Sequence, residues 1–176
     1  MGAARDTMPH RSVRPTRFVA DAMLGSLARK MRALGFDTLY YSDGDDDGIM
    51  RIAGSEGRVV LTADRSLAES ARAGKTSVLL ISGKSDSRRL ASLLVAAKSS
   101  GVSLARGEPL CSLCGGNLRR MRRAEAAGRV PLSVEKSHRL FFKCVECGQY
   151  YWKGSHWKKL RWLDRILAEV PVVTVF

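Results

Sequence analysis

The chain has 176 residues, enough for one full domain or for one domain and a small module. Its 30 Lys and Arg against 17 Asp and Glu give a formal charge of +13, and a hydrophobic fraction of 45% excludes a wholly disordered chain. No run of 18 apolar residues exists, which excludes a membrane-spanning helix, and the first 17 residues lack the apolar core of a secretory signal. Those residues are Arg-rich and acid-poor, as in a transit peptide, but read better as a solvated basic arm over residues 1–16.

Taken in chain order, Arg17-Phe18-Val19-Ala20 is a short apolar run that predicts a strand ending at Asp21. Met23, Leu24, Leu27, Ala28, Met31 and Leu34 recur at helical spacing, with Gly35 as the stop. Asp37 reads as a turn residue, and residues 38–41 as a second strand ending in Ser42 and Asp43. A second helix starts in the cluster Asp45-Asp46-Asp47 and turns Ile49, Ile52 and Ala53 inward. Val59-Val60-Leu61-Thr62 is a buried strand ending at Asp64, and Leu67, Ala68 and Ala71 mark a short helix. Residues 78–81 give a fourth strand, and Leu90, Leu93, Leu94 and Ala97 a fourth helix ended by Gly101. Apolar strands alternating with helices predict an α/β fold over residues 17–107, a parallel sheet sandwiched by helices. Right-handed crossovers bring the C-terminal ends of such strands to one edge, where ligands bind.

The composition changes near residue 107. Residues 108–157 hold all four cysteines, the run Arg119-Arg120-Met121-Arg122-Arg123 and two β-prone stretches, Leu140-Phe141-Phe142 and Gln149-Tyr150-Tyr151-Trp152. Residues 158–176 complete a terminal helix that starts at Trp157, followed by an apolar tail. The cysteines form two C-x-x-C pairs, Cys111 with Cys114 and Cys144 with Cys147, with 29 residues between the pairs. Without a secretory signal the chain is expected in the cytoplasm, where disulfides are rare, so the pairs read as a metal site. Gly115 and Gly148 follow the second cysteine of each pair and suit a knuckle turn. Four thiolates make a closed tetrahedral shell, which predicts a structural zinc in a small ribbon rather than a catalytic ion.

The strand ends carry the other chemistry. Asp21, the Asp43 to Asp47 cluster and Asp64 each follow a strand, so one sheet edge gathers several carboxylates. An Asp after a strand also serves as a helix N-cap, and Asp45 and Asp47 read as solvated helix-start charges. Carboxylates brought close together repel, and the usual resolution is a divalent cation; an all-oxygen set suits Mg²⁺ or Mn²⁺. Such a cage fits phosphodiester hydrolysis by metal-bound water.

The positive charge points to a polyanion, nucleic acid before an anionic membrane surface. From residue 108 onward 13 Lys and Arg face 6 Asp and Glu, and 8 of the 12 aromatics lie there too. Arg119, Arg120, Arg122 and Arg123 form one candidate RNA-binding patch, and Lys153, His156, Trp157 and Lys158 a second. The alternative is that the aromatics pack a small core around the zinc and the cations form a solvated face. No nucleophile elbow or Walker-type phosphate loop is present, and Asp21-Ala22-Met23 lacks the second acid of a haloacid-type phosphatase.

Three segments resemble the C-terminal RNase domain of the Mut-seven exonuclease family, a PIN-like ribonuclease domain with an appended zinc ribbon. They are residues 18–29 (FVADAMLGSLAR), 34–40 (LGFDTLY) and 58–65 (RVVLTADR); both cysteine pairs and residues 151–157 (YWKGSHW) add to the match. The resemblance implies a PIN-like sheet and a metal-dependent ribonuclease with Asp21, Asp64 and an acid from the Asp43 to Asp47 cluster, best Asp46, as catalytic metal ligands. Related domains often carry a further acid two residues after the third-strand Asp; Ser66 stands there, and Asp86 after the fourth strand is a weak substitute. The rival reading is a non-catalytic RNA- or ribosome-binding module. A regulatory protein partner is a further expectation.

Overall fold

A computed structural model describes residues 16–154. All but the last residue of the expected arm, His156, Trp157, Lys158 and the expected C-terminal helix and tail lie outside the described residues.

The first layer follows the βαβ alternation of the sequence. It runs β1 (Arg17–Ala20), a single 3-10 turn (Ala22–Leu24), α1 (Gly25–Ala33), β2 (Asp37–Tyr40), α2 (Asp46–Glu56), β3 (Val59–Thr62), α3 (Arg65–Ala73), β4 (Val78–Leu80) and α4 (Asp86–Ser99). The four strands pair in parallel in the order β2-β1-β3-β4. Side chains alternate across a strand, so each short apolar run feeds both faces. Phe18, Ala20 and Leu61 pack with Leu27 and Met31 of α1 and Leu90 and Leu93 of α4. Val19 and Val60 pack with Ile49 and Ala53 of α2 and Leu67 and Ala71 of α3. Phe18 and Phe36 meet edge-on, with centroids 6.1 Å apart. Burying each such side chain contributes about 1.5–3 kcal/mol. The register Tyr40–Ala20–Leu61 sets the C-terminal ends of β2, β1 and β3 level, which places their following loops together.

One assignment changes. Asp37 is not a turn residue but the first residue of β2, and its carboxylate accepts a hydrogen bond from Arg58 at 2.8 Å. The ion pair satisfies a carboxylate at the strand's start, which a propensity reading counts against a strand.

The second layer is an antiparallel sheet of β5 (Leu118–Arg122), β6 (Leu140–Cys144) and β7 (Tyr150–Trp152), with two short helices, α5 (Arg123–Ala126) and α6 (Leu132–Ser137), between β5 and β6. The basic run from Arg119 to Arg122 thus lies on a strand, an element that its sequence does not announce. Its pairing with β6 buries Met121 against Phe141, and Ala126, Val134 and Trp152 complete a small cluster.

The layers are stitched by backbone and by one buried cation. Gly107 donates to the carbonyl of Gly35, and Leu110 to that of Arg32, each at 2.9 Å. Gly35 has φ +91, and a Cβ there would overlap the Gly107 carbonyl oxygen, so glycine is required at this crossing. Arg32, 5% exposed, donates from Nε to the Thr38 carbonyl at 2.6 Å and from Nη1 to that of Leu113 at 2.7 Å. Desolvation lowers its pKa.

Candidate active site and metal centre

The chain leaves each of three neighbouring strands through an aspartate. Asp21 caps the 3-10 turn, Asp45 caps α2 and Asp64 caps α3, each accepting from backbone N–H groups of the turn it opens. Capping fixes the side chains, and the level strand ends bring them together. Asp21, Asp45, Asp46 and Asp64 line one cavity of about 110 Å³, with Tyr41, Met23 and Ile49 among its other walls. Asp43 is not among the lining residues; it stands on the exposed turn before α2. Asp86 is engaged elsewhere, paired with Lys30 and bonded by the Ser26 hydroxyl.

Asp21 is the most enclosed of the four. Its Oδ1 accepts from the Met23 N–H at 2.8 Å, and its Oδ2 from the Thr62 hydroxyl and from the Ala63 N–H at 3.3 Å. Thr62, fully buried, also accepts the Asp64 N–H at 2.9 Å, so one hydroxyl ties the ends of β1 and β3. Asp64 accepts the Ser66 N–H at 2.7 Å, and the bonds from Ser66 hold its carboxyl below the ordinary range. The residue standing where a further acid was sought therefore supports the acid before it.

Asp45 behaves differently from Asp46. One Asp45 oxygen accepts the Tyr41 hydroxyl and the other the Gly48 N–H. The Tyr41 bond, then the Gly48 bond, keep the Asp45 carboxyl low, and the same contact with Asp45 pushes Tyr41 up to about 12. A Cβ at residue 48 would overlap the Tyr41 hydroxyl, so glycine makes this arrangement possible. No hydrogen bond or ion pair among the described residues engages the Asp46 carboxylate. The sequence reading missed Thr62 and Tyr41. Both sit at the ends of β-prone runs, and only the folded register brings Tyr41 to the cavity and the Thr62 hydroxyl to the Asp21 carboxylate.

The second centre lies in the ribbon. The sulfurs of Cys111, Cys114, Cys144 and Cys147 all lie within 4.8 Å of one another, a set able to hold a metal ion. Burial pushes the Cys111 thiol up, but the backbone N–H groups of Cys114 and Leu113 and the Tyr151 hydroxyl overcome it and bring it down to about 6. The Gln149 N–H pulls Cys147 down, yet desolvation and the three neighbouring sulfurs push it up to about 12. Four sulfurs this close do not all ionise without a cation between them.

The basic residues divide by strand face. Arg120 and Arg122 share one face of β5, and Arg119 the other, where it pairs with Glu125 at 3.1 Å. Arg123 is a structural clasp, donating to the carbonyls of His138 at 3.0 Å and Lys136 at 3.3 Å. Lys153 is exposed just after β7. Trp152 packs against the ribbon's core cluster, as the core-packing reading of the aromatics expected. No helix among the described residues is long and apolar enough to cross a membrane.

A family model described as the Mut7-C RNAse domain matches residues 16–163. No curated protein and no solved structure matches the chain.

Proposed function

The chain belongs to the Mut7-C RNAse domain family, and from that premise we propose that it is a metal-dependent ribonuclease acting at the acidic edge of its parallel sheet. The observation that carries this reading is the convergence of Asp21, Asp46 and Asp64 on one cavity. Their donor set is all oxygen, which suits a hard divalent cation, and these three side chains would hold Mg²⁺ or Mn²⁺. When bound, the ion supplies a water of lowered pKa and offsets charge developing on the phosphate. Thr62 and the N–H groups of Met23 and Ala63 keep Asp21 in one orientation. Asp45, committed to Tyr41 and Gly48, shapes the cavity and leaves Asp46 to serve as the ligand from α2. The four cysteines hold a structural zinc. Arg120 and Arg122 of the ribbon meet RNA phosphates, so binding weakens steeply with salt. Cysteines grouped as metal ligands suit a reducing compartment, the cytoplasm.

A second reading, a non-catalytic RNA-binding module, draws on Ser66 standing where a further acid would strengthen the cage. Labelled single-stranded and structured RNA, incubated with the purified chain in Mn²⁺, Mg²⁺ or EDTA beside Asp21→Asn and Asp64→Asn, separates the two. Metal-dependent cleavage lost in both variants supports the nuclease. Salt-sensitive binding without cleavage in any metal supports the module.

A further inference from the structure

A groove of about 410 Å³ runs between β2 and the first cysteine knuckle, lined by residues 37–40, by Arg32 and Arg58, and by Leu113, Cys114 and Gly115. Two of its side chains leave large apolar surfaces in solvent: Leu113 is 50% exposed and Tyr40 38%. We propose that this groove is the track for the single-stranded RNA segment leading into the acidic cavity, with Leu113 and Tyr40 as base contacts. The proposal rests on the ribonuclease reading and adds where the substrate lies.

Continuity with the acidic cavity is the first argument. The Tyr40 hydroxyl donates to the Ala22 carbonyl at 3.1 Å, and Ala22 lines the acidic cavity. Tyr41, the next residue, lines that cavity as well. From Asp37 to Tyr40 the strand spans about 10 Å, a course for a short run of nucleotides. The groove therefore opens beside the cavity along one strand.

The groove also offers surface for unpaired bases. Its lining offers the uncovered faces of an aromatic and a leucine; the guanidiniums beside them are committed to protein acceptors, Arg32 to the Thr38 and Leu113 carbonyls and Arg58 to Asp37 and Glu56. Aromatic and apolar faces against which unpaired bases pack are a sequence-tolerant mode of single-strand binding.

An extended peptide is the rival occupant. β2 is an edge strand, and a bare edge invites an extended peptide. Here the Thr38 carbonyl already accepts Arg32 Nε, and Arg32 is locked to the knuckle carbonyl of Leu113. A peptide added as a fifth strand finds that backbone acceptor taken.

The test uses the full zinc-loaded chain without added Mg²⁺ or Mn²⁺, and a single-stranded oligouridylate carrying 4-thiouridine. Photo-crosslinks mapped by mass spectrometry are expected at Tyr40 and in the Leu113 knuckle. Leu113→Glu should weaken oligonucleotide binding about tenfold, the worth of one base contact, by fluorescence anisotropy. Val95→Glu, which adds the same charge on exposed α4, should leave binding unchanged. Crosslinks confined to β5 and its neighbours, with RNA still cleaved when Mn²⁺ is supplied, overturn the groove and leave the nuclease standing. Neither binding nor cleavage overturns the ribonuclease reading itself. The crosslink map of the unaltered chain decides the matter even where Leu113→Glu loses zinc.

Discussion

The acidic edge and the cysteine ribbon are assembled by opposite routes. Each ribbon knuckle is local, two cysteines three residues apart, and only the joining of two knuckles requires tertiary structure. The acidic edge has no local motif; Asp21 and Asp64 lie 43 residues apart and meet because β1 and β3 are parallel neighbours in register. The supporting cores differ as well. The parallel sheet is packed on both faces, whereas among the described residues the buried core cluster of the ribbon is Met121, Ala126 and Phe141, with cysteines beside them. A sheet held by apolar burial can position unpaired charges. A ribbon with so small a core, and with four sulfurs grouped to hold a metal ion, is of the kind that folds on binding one.

Removing a ribbon ligand breaks this comparison most sharply. Cys111→Ser, or stripping with a strong chelator, should unfold the ribbon outright, because structural zinc contributes about 10–16 kcal/mol in small metal-dependent folds. Bound zinc by metal analysis should fall to background. Tryptophan fluorescence, to which Trp152 in the ribbon core contributes beside Trp157 and Trp162, should shift toward that of exposed indole while the helical circular dichroism of the sheet layer remains, and a Trp152→Phe chain should lose that shift. Loss of both signals together would mean that the sheet cannot stand without the ribbon.

The acidic edge should answer in activity rather than in fold. Thr62→Val keeps the shape of a buried side chain but removes the hydroxyl that orients Asp21 and receives the Asp64 N–H. Loss of a group that orients a metal ligand costs about 10–100-fold in metal affinity or activity. The expected result is a raised Mn²⁺ requirement for RNA cleavage with zinc content unchanged. An unaltered metal dependence would show that the backbone N–H groups of Met23 and Ala63 suffice.

The same contrast explains what could be read in advance. β1, β3 and the four long helices are legible because burial on both faces demands short apolar runs and helical spacing. The cysteine set is legible because its ligand spacing is local. Asp21 and Asp64 are legible as strand-end acids, though not as caps and cavity walls at once. β5 escapes because Arg119, Arg120 and Arg122 deny it an apolar pattern; it forms by pairing with β6 around Met121. α5 and α6, at four and six residues, are too short to show a period. Thr62 escapes because Val-Val-Leu-Thr looks uniform until register singles out its last residue.

Arg32 tests the seam between the two regions. Its guanidinium bridges the carbonyls of Thr38 and Leu113 while buried. Arg32→Met preserves length and apolar bulk but orphans both acceptors. A hydrogen bond from a charged donor contributes about 1.5–3 kcal/mol, and the loss should fall in that range. The sign to seek in calorimetry is division of one melting transition into two, the ribbon unlinked from the sheet. A single transition at the original temperature would move the coupling to the Gly35–Gly107 and Arg32–Leu110 backbone bonds.

The smallest expected effect lies at the Tyr41–Asp45 pair. Tyr41 is raised to about 12, first by its hydrogen bond to Asp45. The folded phenol thus keeps its proton over a range in which the unfolded phenol, ordinary value about 10, releases it. Its contribution to stability is complete below pH 10 and is lost as pH climbs from 10 toward 12. Asp45 runs the other way. Its carboxyl is depressed, so its contribution is present above the ordinary carboxylate range and is lost as pH falls through the lowered value. Tyrosinate absorbance during alkaline titration should show Tyr41, identified by difference against Tyr41→Phe, ionising late, and Asp45→Ala should bring it back toward 10. If Tyr41 titrates normally in the unaltered chain, Asp45 is not committed to it and becomes a rival to Asp46 as the ligand from α2, which would redraw the acidic edge and leave the ribbon untouched.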